Sequence, residues 1–214
     1  MSRTPKLLIT QSLLAAWQYQ YKVVDRDVVV KKTGKTAAEE AREDFIKVLR
    51  REKSKPTQAI LDGIQFENMV TACCEGSPPP EGHKWGEAVR AIADRVKGAQ
   101  FQVAAQRTAV VEDIPFLLYG RLDALKAGVI YDIKFSRSYQ VGKYLDSPQH
   151  PMYFALVPEA RRFEYLVFTG SDVCVEKYGR EDTPDILGTI RDFMRYLEAG
   201  KLDKLYCQKW EARQ

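Results

Sequence analysis

At Gly98 the hydrophobic period of the chain changes from 3.6 residues to 2. Upstream, Trp85, Val89, Ile92 and Val96 fall on one side of a helix over Trp85–Lys97, and Gly98 stands in the C′ position that ends it. Downstream, Gln100–Glu112, Phe116–Lys126 and Val129–Phe135 read as three consecutive strands. Only Asp113-Ile114-Pro115 and Ala127-Gly128 separate them. Connections this short predict antiparallel neighbours, because a parallel return needs a crossover of a dozen residues or more.

The other segments fit around this meander. Ile9–Tyr21 is expected to be a helix, capped by Thr10 or Ser12. Asp25–Lys32 is a short β-branched run, a strand or hairpin arm. Gly34-Lys35-Thr36 has the look of a phosphate-loop tail, but Val29 stands where the first glycine belongs, so Thr36 is read as the cap of a helix over Ala37–Arg51. Thr57 caps a helix reaching about Cys74, and Ser77-Pro78-Pro79-Pro80-Glu81-Gly82 breaks the chain. Ser147 caps a later helix with Pro148 in its first position. Arg162–Phe168 and Val173–Tyr178 form a hairpin, and Ile186–Leu197 is a helix stopped at Gly200. The pattern predicts one α/β domain over residues 1–214, a mixed central sheet between helices. Residues 1–56 are its N-terminal helical part, 57–178 its core and 182–200 its closing helix.

With 214 residues, 45% hydrophobic and 29% charged, the chain has the composition of a soluble globular domain. No apolar run approaches the ~20 residues that span a bilayer. Leu7–Trp17 is broken by Thr10, Gln11 and Ser12 and does not form a signal-peptide core, so a cytoplasmic location is expected. Cys73, Cys74, Cys174 and Cys207 match neither zinc-site spacing nor a dense disulfide framework. A net charge of +4 is compatible with nucleic acid without requiring it.

The chemistry-bearing residues lie along the meander and just after it. Asp123 stands near the end of the second strand. Asp132 sits inside the β-branched run Val129-Ile130-Tyr131-Asp132-Ile133, where a charge needs a cation or a basic partner. Lys134, two residues on, shares its face at about 7 Å along the strand. That leaves two readings: a structural Asp–Lys pair, or two carboxylates and an amine around one point, suited to holding a divalent metal and directing a water. Glu67 falls on a helical stripe with Ile60, Gly63, Val70 and Cys74. This suggests an acid held beside a site, or an acid at the boundary of the core. Gln149 and Tyr153 share a helix face immediately after the acidic strand. Arg121 shares the face of Asp123 and either contacts a phosphate or neutralises the carboxylates. His83 and His150 belong to no triad or zinc motif.

Taken together, Gly63-Ile64-Gln65-Phe66-Glu67, Gly120-Arg121-Leu122-Asp123, Asp132-Ile133-Lys134 and Gln149-x-x-x-Tyr153 resemble the motifs of the PD-(D/E)xK nuclease superfamily, in particular its RecB-like branch. The likeness covers roughly residues 58–168, and the helix beginning Ile9-Thr10-Gln11-Ser12 is similar to that branch's opening helix. It implies a restriction-endonuclease-like core with a metal site at one end of the sheet. In that scheme Asp123, Asp132 and the Ile133 carbonyl bind Mg²⁺ or Mn²⁺, and Glu67 binds it directly or through water. Lys134 positions or helps deprotonate the attacking water, while Gln149 and Tyr153 orient nucleophile and DNA. Relatives with an iron–sulfur cluster carry cysteines that this chain lacks at the corresponding places, so no cluster is expected.

The resulting expectation is a metal-dependent deoxyribonuclease, an exonuclease processing DNA ends in recombination, repair or phage replication, alone or beside a separate helicase or recombination protein. The alternatives are a site-selective endonuclease of the same fold and a DNA-binding module without catalysis. Oligomeric state, polarity, strand preference and metal number stay open.

Overall fold

A computed structural model describes residues 6–23 and 25–212. The chain is an α/β protein with a six-stranded mixed sheet in the order β1-β3-β4-β5-β6, and β2 pairs with β3. The chain divides into two compact units. The first is Met1–Lys53, Gln106–Gly120 and Pro184–Gln214; the second is Ser54–Ala105 and Arg121–Thr183. The expected N-terminal part thus forms its unit with segments from the middle and end of the chain.

The first unit opens with strand β1 (Leu7–Thr10), whose last two residues were expected to start a helix, and helix α1 (Gln11–Lys22) follows it. The Thr10 side chain accepts the Leu13 amide, so Thr10 is the cap. β1 pairs in parallel with Phe116–Tyr119. The β-branched run at Asp25–Lys32 forms no strand: Val29 makes only an isolated bridge to Thr36, around a turn. Thr36 and Glu39 then form a reciprocal capping box at the start of α2 (Ala37–Leu49). An aromatic cluster fills the core. Phe193 of α6 (Ile186–Ala199) packs edge-on against Trp17, Phe45 and Tyr206. Tyr206 lies on α7 (Asp203–Lys209), a short helix with no counterpart in the sequence reading.

The second unit carries α3 (Gln58–Cys74), capped by Thr57, and α4 (Gly86–Val96). Its strands come from β2 (Gln100–Val111), β3 (Ile114–Lys126), β4 (Val129–Phe135), β5 (Arg162–Phe168) and β6 (Val173–Gly179). β3 and β4 are antiparallel across a turn at Ala127-Gly128, both with positive φ. β4 and β5 are parallel, joined through α5 (Gln149–Leu156), and β5 and β6 are antiparallel. One face of these strands, with Ala124, Tyr131, Ile133, Leu166 and Phe168, packs on Phe66 and Val70 of α3 and on Val89, Ile92 and Val96 of α4. Asp132 and Lys134 point to the opposite face by the two-residue period, the face against which α5 lies. Pro148, expected as the first helical residue, is the N-cap, and the Ser147 hydroxyl accepts the Gln149 amide at 3.3 Å.

One expectation shifts around α3. The residues it buries are Phe66 and Val70, while Ile60 is 53% exposed. Phe66, Met69, Val70 and Cys73 meet the core, so the packed stripe is rotated from the one read in the sequence. Glu67 lies at its margin, half-buried.

Candidate active site

Asp132 is the centre of the polar cluster and only 1% exposed. Lys134 Nζ lies 2.7 Å from its Oδ2. Gln149 Nε2 donates to its Oδ1 from the first turn of α5. The alternation of β4 therefore places Asp132 and Lys134 together as the spacing predicts. The Lys134 ammonium is the ion-pair partner of Asp132 Oδ2, and Gln149 is the hydrogen-bond donor on Oδ1.

Asp123 comes from the neighbouring strand. The β3–β4 register runs from Lys126–Val129 to Ala124–Tyr131. Just beyond it the Ile133 amide donates to Asp123 Oδ2 at 2.8 Å, so a side chain takes a bond that a backbone carbonyl would otherwise accept. Burial pushes the Asp123 carboxyl well above the usual range, and the charges of Asp132 and Glu67 push it further. Lys134 and the Ile133 amide pull the other way. Glu67 reaches the same electrostatic neighbourhood from α3. Burial raises its pKa, a hydrogen bond from Gln102 lowers it, and Asp132 raises it again. Arg121, exposed on β3, is close enough to lower it as well.

Burial disfavours the charge of Lys134, yet Asp132 and Asp123 outweigh that cost and hold the amine above the ordinary lysine value. Held this way it can orient a water or neutralise an oxyanion.

Gln149 and Tyr153 are both buried, on the shared face read from the sequence. Their polar groups act inside the fold. Gln149 holds Asp132, and the Tyr153 hydroxyl donates to the Arg121 carbonyl at 2.8 Å, tying α5 to the strand that bears Asp123. Burial, with Asp132 and Asp123 behind it, raises the Tyr153 phenol, so it remains a neutral donor. The two isolated histidines are structural. His83 Nδ1 accepts the Trp85 amide. His150, fully buried, contacts the Tyr165 hydroxyl at 3.1 Å and stacks on Tyr178.

The sequence reading missed two neighbours of the cluster. Gln102 looked like an ordinary polar residue on an alternating strand. Tyr144 lies in the irregular segment between β4 and α5, stacks on Tyr165 with ring centres 4.3 Å apart, and sits near enough to Lys134 and Asp132 to feel both. Neither carried a motif.

The cluster contributes only oxygen donors, which suit a hard divalent cation. Among the described residues no group of three or more His, Cys, Asp or Glu side chains is arranged to hold a metal ion. Each carboxylate of the expected set already has a protein partner: Glu67 has Gln102, Asp132 has Gln149 and Lys134, and Asp123 has the Ile133 amide. None of the described helices is long and apolar enough to cross a membrane.

No protein-family model and no curated protein matches the chain. Its backbone is similar to a solved structure described as "Crystal structure of SSO0001", with a TM-score of 0.50 and 14% identity. The match covers 92% of this chain and 79% of that one. At this identity the likeness concerns the fold: helices and a mixed sheet in a common arrangement.

Proposed function

We propose that the chain is a metal-dependent deoxyribonuclease of the PD-(D/E)xK type, with a restriction-endonuclease-like core and the RecB-like arrangement of its site. The observation that carries this reading is Asp132, a buried carboxylate gripped by Lys134 and Gln149 beside a second carboxylate, Asp123, that resists ionisation. A purely structural Asp–Lys pair needs no second acid. Crowding carboxylates in a desolvated place is costly, and a divalent cation relieves that cost.

The donor set fits such a cation. Asp123, Asp132 and the Ile133 carbonyl, all oxygen donors, would hold Mg²⁺ or Mn²⁺, with Glu67 acting through water. When bound, the ion supplies an acidified water and neutralises charge on the scissile phosphate. The protein's own residues do the rest. The Lys134 ammonium orients the water or meets a phosphate oxygen. Gln149 fixes the rotamer of Asp132. Tyr153 fixes β3 where Arg121 faces the phosphate.

DNA is the substrate class, and DNA ends in recombination, repair or phage replication are its setting, with a separate helicase or recombination protein as partner. We place this action in the cytoplasm, where the four free thiols suit a reducing compartment. Linear and covalently closed circular plasmid, each with Mg²⁺, Mn²⁺ or EDTA, test the reading. An end-processing enzyme degrades the linear form in either metal, spares the circle and stops in EDTA. Cutting of the circle would turn the assignment to an endonuclease, and no cutting of either form would remove the catalytic assignment.

A further inference from the structure

Between Phe135 and Gln149 the chain makes a series of turns rather than a helix or strand, and several side chains hold this strap in place. Glu176, on β6 and only 9% exposed, receives three donors. Tyr139 Oη donates to Oε2 at 2.8 Å, the Tyr144 amide to Oε1 at 3.3 Å, and Tyr178 Oη also to Oε1. Two of the three come from the strap. Tyr139 and Tyr144 also stack on each other, and Tyr144 stacks on Tyr165.

What the strap presents is a lysine. Lys143 Nζ donates to Ser136 Oγ at 2.7 Å, to Ser138 Oγ at 3.2 Å and to the Ser138 carbonyl at 3.4 Å. All three acceptors are formally neutral oxygens. Neighbouring cations have carboxylates: Lys134 has Asp132, and even Arg137 reaches Asp62 at 3.9 Å. An ammonium held in one orientation by neutral oxygens keeps its charge available for an incoming anion. Ser136 follows Lys134 by two residues and lies near the Tyr144 side chain, itself close to Lys134 and Asp132. The lysine is therefore tethered within the polar surroundings of the carboxylate cluster.

We propose that Lys143 is a second phosphate-binding residue, contacting a backbone phosphodiester of the nucleic-acid strand beside the one at Asp123 and Asp132, and that Glu176 is the positioning residue that holds its strap in place. This rests on the nuclease reading for the identity of the strand but not on catalysis, since binding alone reports it.

The test is the affinity of the full chain for a short fluorescein-labelled single-stranded DNA, measured by anisotropy in EDTA over a range of salt. Lys143→Ala should weaken binding about 10-fold, the scale of a lost charged hydrogen bond. It should also flatten the plot of log affinity against log salt by about 0.7, the share of one phosphate on a single strand. Glu176→Gln separates positioning from charge. Removing a negative charge should tighten DNA binding by simple electrostatics, whereas a loosened strap weakens it. We expect weakening, and a Lys143→Ala/Glu176→Gln double variant no weaker than Lys143→Ala alone. Tyr139→Phe, which leaves the charge unaltered, should weaken binding in the same direction, with thermal melts confirming that each variant is folded. An unchanged affinity and salt slope in Lys143→Ala, or tighter binding by Glu176→Gln, would overturn the proposal, as would a wild-type chain that binds no DNA. Binding that behaves as expected in a chain that never cleaves would sink the nuclease reading and leave this one standing.

Discussion

Replacing Lys134 with methionine keeps most of the side-chain volume and removes the charge next to Asp132. In the metal-free protein Asp132 then stays buried with the hydrogen bond from Gln149, and Asp123 loses the cation that lowers its pKa. Breaking a buried ion pair by deleting one partner costs ~3–5 kcal/mol. Lys134 is 32% exposed, so solvent screens part of the interaction and the low end applies, about 3 kcal/mol. A divalent ion bound by Asp123 and Asp132 supplies the missing counter-charge. The stabilisation produced by Mn²⁺ should therefore be larger in Lys134→Met than in wild type, while DNA cleavage in Mn²⁺ falls at least ~100-fold, the scale of a lost transition-state contact. Urea denaturation with and without Mn²⁺, with cleavage rates on the same preparations, measures both. A variant that is destabilised equally with and without Mn²⁺, and whose folded fraction cleaves at the wild-type rate, would show that Lys134 is only a structural partner.

Tyr153→Phe removes the bond to the Arg121 carbonyl and should cost ~1 kcal/mol by urea denaturation while lowering turnover. Gln149→Ala frees Asp132 and should lower turnover without unfolding the protein; normal cleavage in both variants would remove α5 from the site. Burial lowers the His150 pKa from 6.5 to about 4, so the unfolded chain is the better proton acceptor between those values. This contribution to stability is complete above pH 6.5 and is lost as pH falls towards 4, by about 3 kcal/mol, and His150→Gln should flatten that part of the stability profile. Arg180 donates to the carbonyls of Phe154, Val157, Pro158 and Ala160, closing the C-terminal end of α5, and Arg180→Ala should cost about 3 kcal/mol in the same denaturation assay.

The three-strand meander was legible because alternation survives in one chain without its neighbours: β2, β3 and β4 fall within a residue or two of the predicted bounds. The pairing of Asp132 with Lys134 was legible for the same reason. The helix caps at Thr36 and Thr57 were legible because a cap is a local hydrogen bond. What failed depended on distant partners. β1 is four residues long and runs straight into a helix, so it offers no period of its own and exists through pairing with β3. Val28 and Val29 favour a strand intrinsically, yet both are exposed, and among the described residues Val29 forms only an isolated bridge to Thr36. The buried stripe of α3 was misjudged because Ile60 is apolar but unpacked, while Phe66, outside the predicted stripe, is fully buried. Around the site, Gln102, Tyr144 and Glu176 gain their roles from contacts 35 residues apart in sequence, in a turn-rich segment, or across two strands, where no spacing rule reaches.

End-labelled linear DNA incubated with the purified wild-type chain and with Asp132→Asn, each in Mg²⁺, Mn²⁺ and EDTA, tests the central claim most directly. The account predicts labelled nucleotide released by the wild type in either metal, none in EDTA, and at least ~100-fold less from Asp132→Asn, a loss on the scale of a transition-state contact. Equal release by wild type and Asp132→Asn, or release that persists in EDTA, would contradict it.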